Sequence, residues 1–396
     1  MNYRTRLYSR FSDIPQAQWD ALVLASHGGV LHPALRHAYL LAMEASGSAS
    51  PATGWAACHL GILNDADCLV AAAPVYLKSH SYGEYVFDWA WADAYQRHQL
   101  VYYPKLLTAI PFTPVFGRRL LAQDDKTLAF LGHALFELAQ QSSVSEETLG
   151  LRTSSWHGLF LDDSDLPALA DSACMKRTGV QFHWQNRVPG SEEQYQDFEH
   201  FLEQLNQKKR KNIRAERRKV EEAGVHIQVL EGTEAKDSDW AFFYECYVTT
   251  YRQHHSTPYL TPDFFVRLRQ TMPEQVVLFI AKRADKSIAA SFCLHSSTTL
   301  YGRYWGALEH VPCLHFEAAY YAPLTWAIQK GISRFEGGAQ GEHKWSRGFE
   351  PVQAQSMHWL AHEGFAEAVD RFLAREGGGI SAYMDELKEH NPFKQA

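Results

Sequence analysis

The sequence predicts a mixed α/β (α+β) fold in two domains, residues 1–185 and 186–396, and three observations carry that reading. Apolar residues at helical spacing alternate with strand-like runs along the whole chain. Both halves show the same broad order of helices, a strand meander, then helix and strand, although no strict sequence repeat is present. A length of 396 residues, at about 150 residues per domain, points to two domains as well.

In the first half, 14–24 and 35–45 read as helices, with Ser12 or Asp13 capping the first. Segments 54–63 and 69–77 read as strands around the turn Asn64-Asp65-Ala66-Asp67. Aromatic-rich strand or loop follows over 82–103. Leu128, Leu131, Leu135 and Leu138 are spaced by three and four, which predicts a helix over 126–141. Short strands are expected at 149–151 and 159–161. The second half opens with 192–223, free of Pro and Gly, read as one long basic helix closed by Gly224. A strand at 225–230 and helices at 240–251 and 261–270 follow. Segments 276–281, 288–295 and 299–306 form a three-strand antiparallel meander. A helix at 316–330 and a strand at 333–337 come next, and the tail is helical over 365–373 and 381–390.

Composition narrows the function. Apolar residues at 46% and charged residues at 21% are a globular balance, and 13% aromatics put large rings in the interior and along a cleft. A net charge of −7 excludes a histone-like binder of nucleic acid, so any basic site is local. Arg4, Arg6 and Arg10 are followed by no apolar run, so no secretory signal is expected. Apolar stretches such as 69–77 are less than half of the ~20 residues that span a bilayer. Six scattered cysteines make no CxxC and no disulfide framework. A soluble, reduced, cytoplasmic protein is expected.

Four segments hold chemistry-bearing residues. In 208–219, eight of twelve residues are basic and one is acidic. Like charges four apart repel on a helix, so this run reads either as an anion site for phosphates or as a solvated face paired with neighbouring acids. In 335–351, three glycines among residues 337–341 follow a strand, with Glu336, Gln340, Glu342, His343, Lys344 and Arg347 close by. That suits close backbone approach to a ligand, or a tight structural turn. It matches neither GxxxxGK[ST] nor GxGxxG. In 301–321, Arg303 and Tyr304 precede His315 and Glu317. Glu317 and Tyr321 share a helical face, with Pro323 beyond to bend the helix. Glu317 reads as a general base or as a carboxylate favouring the helix dipole. In 87–95, Asp88 and Asp93 stand among four large rings, as a substrate wall or a core corner. The 20 histidines form no HxH or HExxH, so no metal site is expected. No GxSxG elbow or flanked cysteine marks a nucleophile.

FDWAWADAY at 87–95, YYPKLLTAIPFTPVFGRRLL at 102–121, KKRKNIRAERR at 208–218, GRYWG at 302–306 with LHFEAAYY at 314–321, and FEGGAQGEHKWSRGFEP at 335–351 together carry a resemblance. The chain, from about Tyr8 to Pro392, resembles the predicted N-acyltransferases of the FemAB-like branch of the GNAT superfamily, described as peptidoglycan biosynthesis or recognition proteins. The resemblance implies two tandem GNAT-like domains, each a mixed sheet flanked by helices. It also implies direct transfer of an acyl or aminoacyl group from a thioester (acyl-CoA) or from aminoacyl-tRNA to an amine on a small molecule or peptide. HKWSRGFEP resembles the FKxGFG-type strand end of such chains, so Lys344, Arg347 and Gly348 are carried over as ligand-adjacent. The chain departs from the pattern at 310–315, which has no glycine where acetyl-CoA enzymes carry R/Q-x-x-G-x-G/A. It departs again in having one basic helix where FemAB enzymes have a paired helical arm.

The expected catalytic residues are therefore Glu317 and His315. Arg303, Tyr304, Tyr321, Gln340, His343, Lys344, Arg347, Asp88 and Asp93 are expected at the substrate, and Lys208, Lys209, Arg210 and Lys211 at phosphates. Acyl-CoA is the expected donor and tRNA the alternative. Two other classes fit the same residues: a non-catalytic tandem module binding a nucleotide-linked or peptide ligand, and an RNA-associated protein using the basic helix.

Overall fold

A computed structural model describes residues 2–338, 341–389 and 391–394. Its first strands are β1 (Arg4–Tyr8), β2 (Trp55–Ala57), β3 (His59–Leu63), β4 (Leu69–Ala73), β5 (Val75–Lys78), β6 (Lys105–Thr108), β7 (Leu121–Ala122), β8 (Ser155–Leu159) and β9 (Met175–Gln185). Helices α1 (Gln16–Ser26), α2 (His37–Ala45), α3 (Trp89–Arg97) and α4 (Asp125–Val144) lie between them. Then come α5 (Phe198–Gln204), α6 (Gln207–Glu222), β10 (Val225–Glu231), α7 (Asp237–Gln253), α8 (Pro262–Thr271), β11 (Val276–Arg283), β12 (Lys286–His295) and β13 (Thr299–Ala307). The chain closes with α9 (Leu314–Phe316), a π turn (Glu317–Tyr321), α10 (Ala322–Gln329), β14 (Arg334–Glu336), β15 (Glu350–Leu360) and α11 (Glu363–Glu389).

Two compact units result, 1–179 with 353–383 and 180–352 with 384–396. The first contains a four-stranded sheet β1-β3-β4-β7 and the run β15-β8-β6-β5-β2. Its core joins Leu128, Leu131, Leu135 and Leu138 of α4 to Ile62, Val70, Val75 and Trp156. The second contains the run β10-β11-β12-β13-β14-β9. Its core gathers Phe201, Leu202, Val277, Phe279, Tyr321, Leu324 and Phe335. Each unit is a mixed sheet flanked by helices, the predicted fold class.

The local rules explain most elements. Asp124 accepts from Thr127 N at 2.8 Å and caps α4, which spans the predicted helix. The meander β11-β12-β13 is antiparallel as expected. Several expectations need correction. The helix foreseen at 192–223 is two: Asn206 accepts from Lys209 N at 3.0 Å and starts α6 afresh. Residues 89–97 form α3 rather than strand or loop, because Trp91 and Tyr95, four apart, bury together against Leu360, Val369 and Leu373. Residues 149–151 form no strand, and the strand expected at 159–161 is β8, which ends at Leu159. The tail is one helix, α11, held by buried Val369 and Leu373, and it runs through Gly377–Gly379. Neither Ser12 nor Asp13 caps α1, whose first turn follows Pro15. Strands β1, β6, β7, β9 and β15 had no counterpart in the sequence reading.

Candidate active site

In the second unit, β13 pairs in parallel with β14 over only three residues, Thr299, Leu300 and Tyr301 against Arg334, Phe335 and Glu336. Beyond Tyr301, β13 continues to Ala307, whereas β14 stops at Glu336 and Gly337–Gly338 lead the chain away. The strands part and leave a wedge. A bulge sits at its edge: Phe292 pairs with Tyr304 and Cys293 with Gly302, so Arg303 has no opposite residue on β12. Such bulges re-aim side chains. The wedge encloses about 150 Å³, lined among others by Ser291, Arg303, Tyr304, His315, Tyr320 and Gly337. Arg303 donates to Tyr304 OH at 3.2 Å.

The helix after β13 supplies the far wall. Pro323 has no N–H to give a carbonyl of the preceding turn, and the helix widens there into the π turn Glu317–Tyr321. Ser291 Oγ donates to Ala318 O at 2.5 Å and ties this turn to β12. His315 lies among Trp305, Tyr320 and His343, with ring centroids 5.3, 5.4 and 6.1 Å away. Burial, then the positive charge of His343, Arg347 and Lys344, pushes its imidazole down to about 4. It is therefore neutral near pH 7 and can accept a proton. Lys344 is buried, donates to Gly338 O at 3.0 Å, and is pushed down to about 8 by burial. His343 shares a hydrogen bond with Tyr320 OH at 3.1 Å, and burial lowers it as well.

Arg347 and Glu317 sit elsewhere in the same unit. Arg347 donates to Tyr321 OH at 2.8 Å, His343 O at 2.8 Å and Glu216 Oε1 at 2.7 Å, and stacks on the Phe316 ring at 3.5 Å. Tyr321 OH donates to the other oxygen of Glu216. Glu317 is gripped by Arg217 through two bonds of 3.0 Å. The two residues of the shared helical face thus meet neighbouring residues of α6. Glu317 lines a larger cavity of about 680 Å³ with Arg214, Arg217, Arg218, Glu199 and Trp326, and His315 does not. The structure separates the two expected catalytic residues.

The expected phosphate cluster does not converge. Lys208 and Lys211 are exposed, Lys209 donates to Ser346 Oγ at 2.9 Å, and Arg210 reaches Glu203 O at 3.4 Å. The cavity takes the later cations of the run, Arg214, Arg217 and Arg218. In the first unit, Asp88 is buried beside Lys105, which also bonds Glu84 at 2.8 Å and Ser81 at 2.9 Å. Tyr102 OH donates to Asp88 at 2.7 Å. Asp93 instead pairs at the surface with Arg97 at 2.6 Å. Gln340 lies outside the described residues. No group of three His, Cys, Asp or Glu among the described residues is placed to hold a metal.

The sequence model of the FemAB-like family, described as peptidoglycan biosynthesis/recognition, matches residues 10–395. The chain belongs to that family. No curated protein matches it. Among solved structures the FemAB-like chain is similar to FemX, at 10% identity and a TM-score of 0.52, over 93% of this chain and 100% of that one. A conserved protein of unknown function from Bacteroides thetaiotaomicron gives 12% identity and a TM-score of 0.52 over 90% and 100%. The C-terminal domain of a putative lysylphosphatidylglycerol synthetase from Agrobacterium fabrum gives 9% and 0.51 over 91% and 95%. At these identities the likeness is one of fold. No helix among the described residues of the FemAB-like chain is long and apolar enough to cross a membrane.

Sequence reasoning missed Ser291 and Glu216 in this chain. Ser291 sits on a strand read only as part of the meander. Glu216 was visible as the single acid in a basic run, a signal that it has a buried partner to meet.

Proposed function

We propose that this protein transfers an acyl or aminoacyl group to an amine, and that the reaction takes place in the wedge between β13 and β14. The observation that carries the reading is the parting of two parallel strands beside a neutral, part-buried histidine. A carbonyl lying between the strands reaches the β13 main chain beyond Tyr301, which pairs with β14 no further among the described residues, and Arg303 stands at the bulge to face the oxyanion. The amine attacks the carbonyl carbon, and His315 takes its proton as the tetrahedral intermediate forms. The intermediate collapses, the bond to the leaving oxygen or sulfur breaks, and the proton passes to the leaving group. No covalent enzyme intermediate is required.

The turn before the helix favours an aminoacyl ester over coenzyme A as the donor. Pro312 has no N–H, Leu314 N is bonded to Val311 O, and Phe316 N and Glu317 N to Cys313 O, so few amides are left for a diphosphate. Glu309 takes up the nearby Arg283 and Lys286 at 2.9 and 2.6 Å. This reading assigns proton transfer to His315 and leaves Glu317 in its ion pair.

Thermal shift with charged tRNA, coenzyme A and several acyl-CoAs identifies the donor. A donor at 100 times its dissociation constant adds about 2.7 kcal/mol. Stabilisation by charged tRNA supports the aminoacyl reading, by an acyl-CoA redirects it to a thioester, and silence from all favours a non-catalytic binding module. With the donor found, His315→Gln is expected to lower kcat by about 10²–10⁴-fold with little change in KM. Glu317→Gln is expected to lower the unfolding midpoint and leave kcat near wild type. The reverse pattern moves the base to Glu317.

A further inference from the structure

Large apolar side chains exposed to solvent are unevenly spread over the molecule. Among the described residues, five of eleven, namely Tyr82, Phe87, Trp89, Leu100 and Val101, fall within 82–101. Tyr82 and Trp89 pack ring against ring at 4.8 Å yet stay 58% and 40% exposed. Beside them runs a groove of about 490 Å³, lined among others by Trp89, Asp93, Gln96, Leu100, Tyr102 and Tyr103. That volume falls within the ~300–1,000 Å³ of small-molecule sites, and exposed apolar clusters mark binding surfaces.

The groove is fixed from beneath. Tyr102 OH donates to Asp88, and Tyr103 OH bonds Ser81 Oγ at 2.8 Å. Lys105, fully buried, holds Ser81, Glu84 and Asp88 together. Burying a lysine with two carboxyl groups is costly. Here the cluster sets the positions of two tyrosines in the groove wall and of Asp88, where α3 begins. A wall held this firmly loses little freedom when a ligand docks.

We propose that this groove binds a short neutral glycan, with sugar rings stacked on Trp89 and Tyr82 and hydroxyls bonded to Asp93 and Gln96. A pyranose presents an apolar C–H face and a hydroxylated edge. The groove offers the matching pair, exposed aromatic faces above a carboxylate and an amide. No Lys, Arg or His lines it, and Asp93 already engages Arg97. A phosphate, a nucleotide or an anionic lipid headgroup needs cations that the groove does not supply. The site shares no lining residue with the wedge and does not depend on the transferase reading.

Isothermal titration calorimetry of the full chain with chitotetraose and cellotetraose, in the absence of any donor, tests it. Saturable binding of at least one is expected, weakened at least about tenfold in both Trp89→Ala and Tyr82→Ala, as for aromatic hot spots. Both side chains are substantially exposed, and unchanged urea midpoints confirm that the variants fold. No binding of either tetrasaccharide, or equal affinity in both variants, overturns the proposal. Co-sedimentation of the wild type with phosphatidylcholine vesicles that is lost in Trp89→Ala, without glycan binding, overturns it in favour of a lipid surface. Self-association lost in the same variant, again without glycan binding, overturns it in favour of a second copy.

Discussion

Arg347 shows what a residue type discloses and what it hides. Sequence alone picks it out as a cation beyond a glycine-rich turn, but not that Glu216, 131 positions away, takes one arm of its guanidinium while Tyr321 and a main-chain carbonyl take the rest. A side chain so committed ties α6 to the turn that carries Tyr321 and to the segment that carries His343. Because it is buried and paired, Arg347→Ala leaves Glu216 without its partner and should cost about 3–5 kcal/mol. Urea unfolding measures this, and a double-mutant cycle with Glu216→Gln should recover part of the loss as coupling. His315 is the opposite case: its neighbours Trp305, Tyr320 and His343 come from three segments, and only the fold makes its imidazole a neutral base.

Whole elements were legible where their signal is local. The leucine spacing of α4 and the three-strand meander β11-β12-β13 both appear in the structure. Helix α3 was read as strand or loop because 82–103 is rich in aromatic residues, which favour strands, and burial of Trp91 with Tyr95 decides the matter. The parting of β13 from β14 was invisible, since it depends on a pairing between residues more than thirty apart. Two tests belong to this scale. A methyl group on Gly306 would sit 2.0 Å from Cys246 O of α7, so Gly306→Ala should push α7 off β13 and cost about 1–3 kcal/mol or more. Asn206→Ala removes the cap of α6 and should cost about 1 kcal/mol. Urea midpoints check both. A Gly306→Ala protein as stable as wild type would mean that α7 and β13 pack less closely than described.

Across the whole molecule, buried and part-buried histidines set the response to acid. His183 and His358 are pushed down to about 3, His315 to about 4 and His157 well below the ordinary range, burial being the largest cause in each. An unfolded chain protonates each near 6.5. From there down to about 4 the unfolded state binds more protons, so stability rises with pH, by up to about 1.4 kcal/mol per unit for each histidine. Burial raises Glu84 to about 7 and Asp165 to about 6. The folded state keeps their protons, so they oppose this trend over the same range. His27, His80, His295 and His343 are lowered as well and Glu350 is raised. Eight histidines against three carboxyls, among the described residues, leave a lower urea midpoint at pH 5 than at pH 7.5, and a midpoint that rises on acidification contradicts the assignment. The division into two α/β units was readable from the repeated order of elements, but the return of 353–383 to the first unit was not, because it rests on Ser356–Leu360 pairing with Leu159–Ser155. That return has a consequence for synthesis. A ribosome delivers about 5–20 residues per second from the N-terminus, so all of 180–352 emerges while β8 still lacks its neighbour on one side. The second unit waits in turn for Phe393 to bridge Leu205. Neither half is finished until 353–383 and Phe393 have followed, and a chain cut after residue 352 would hold two incomplete cores rather than one good domain.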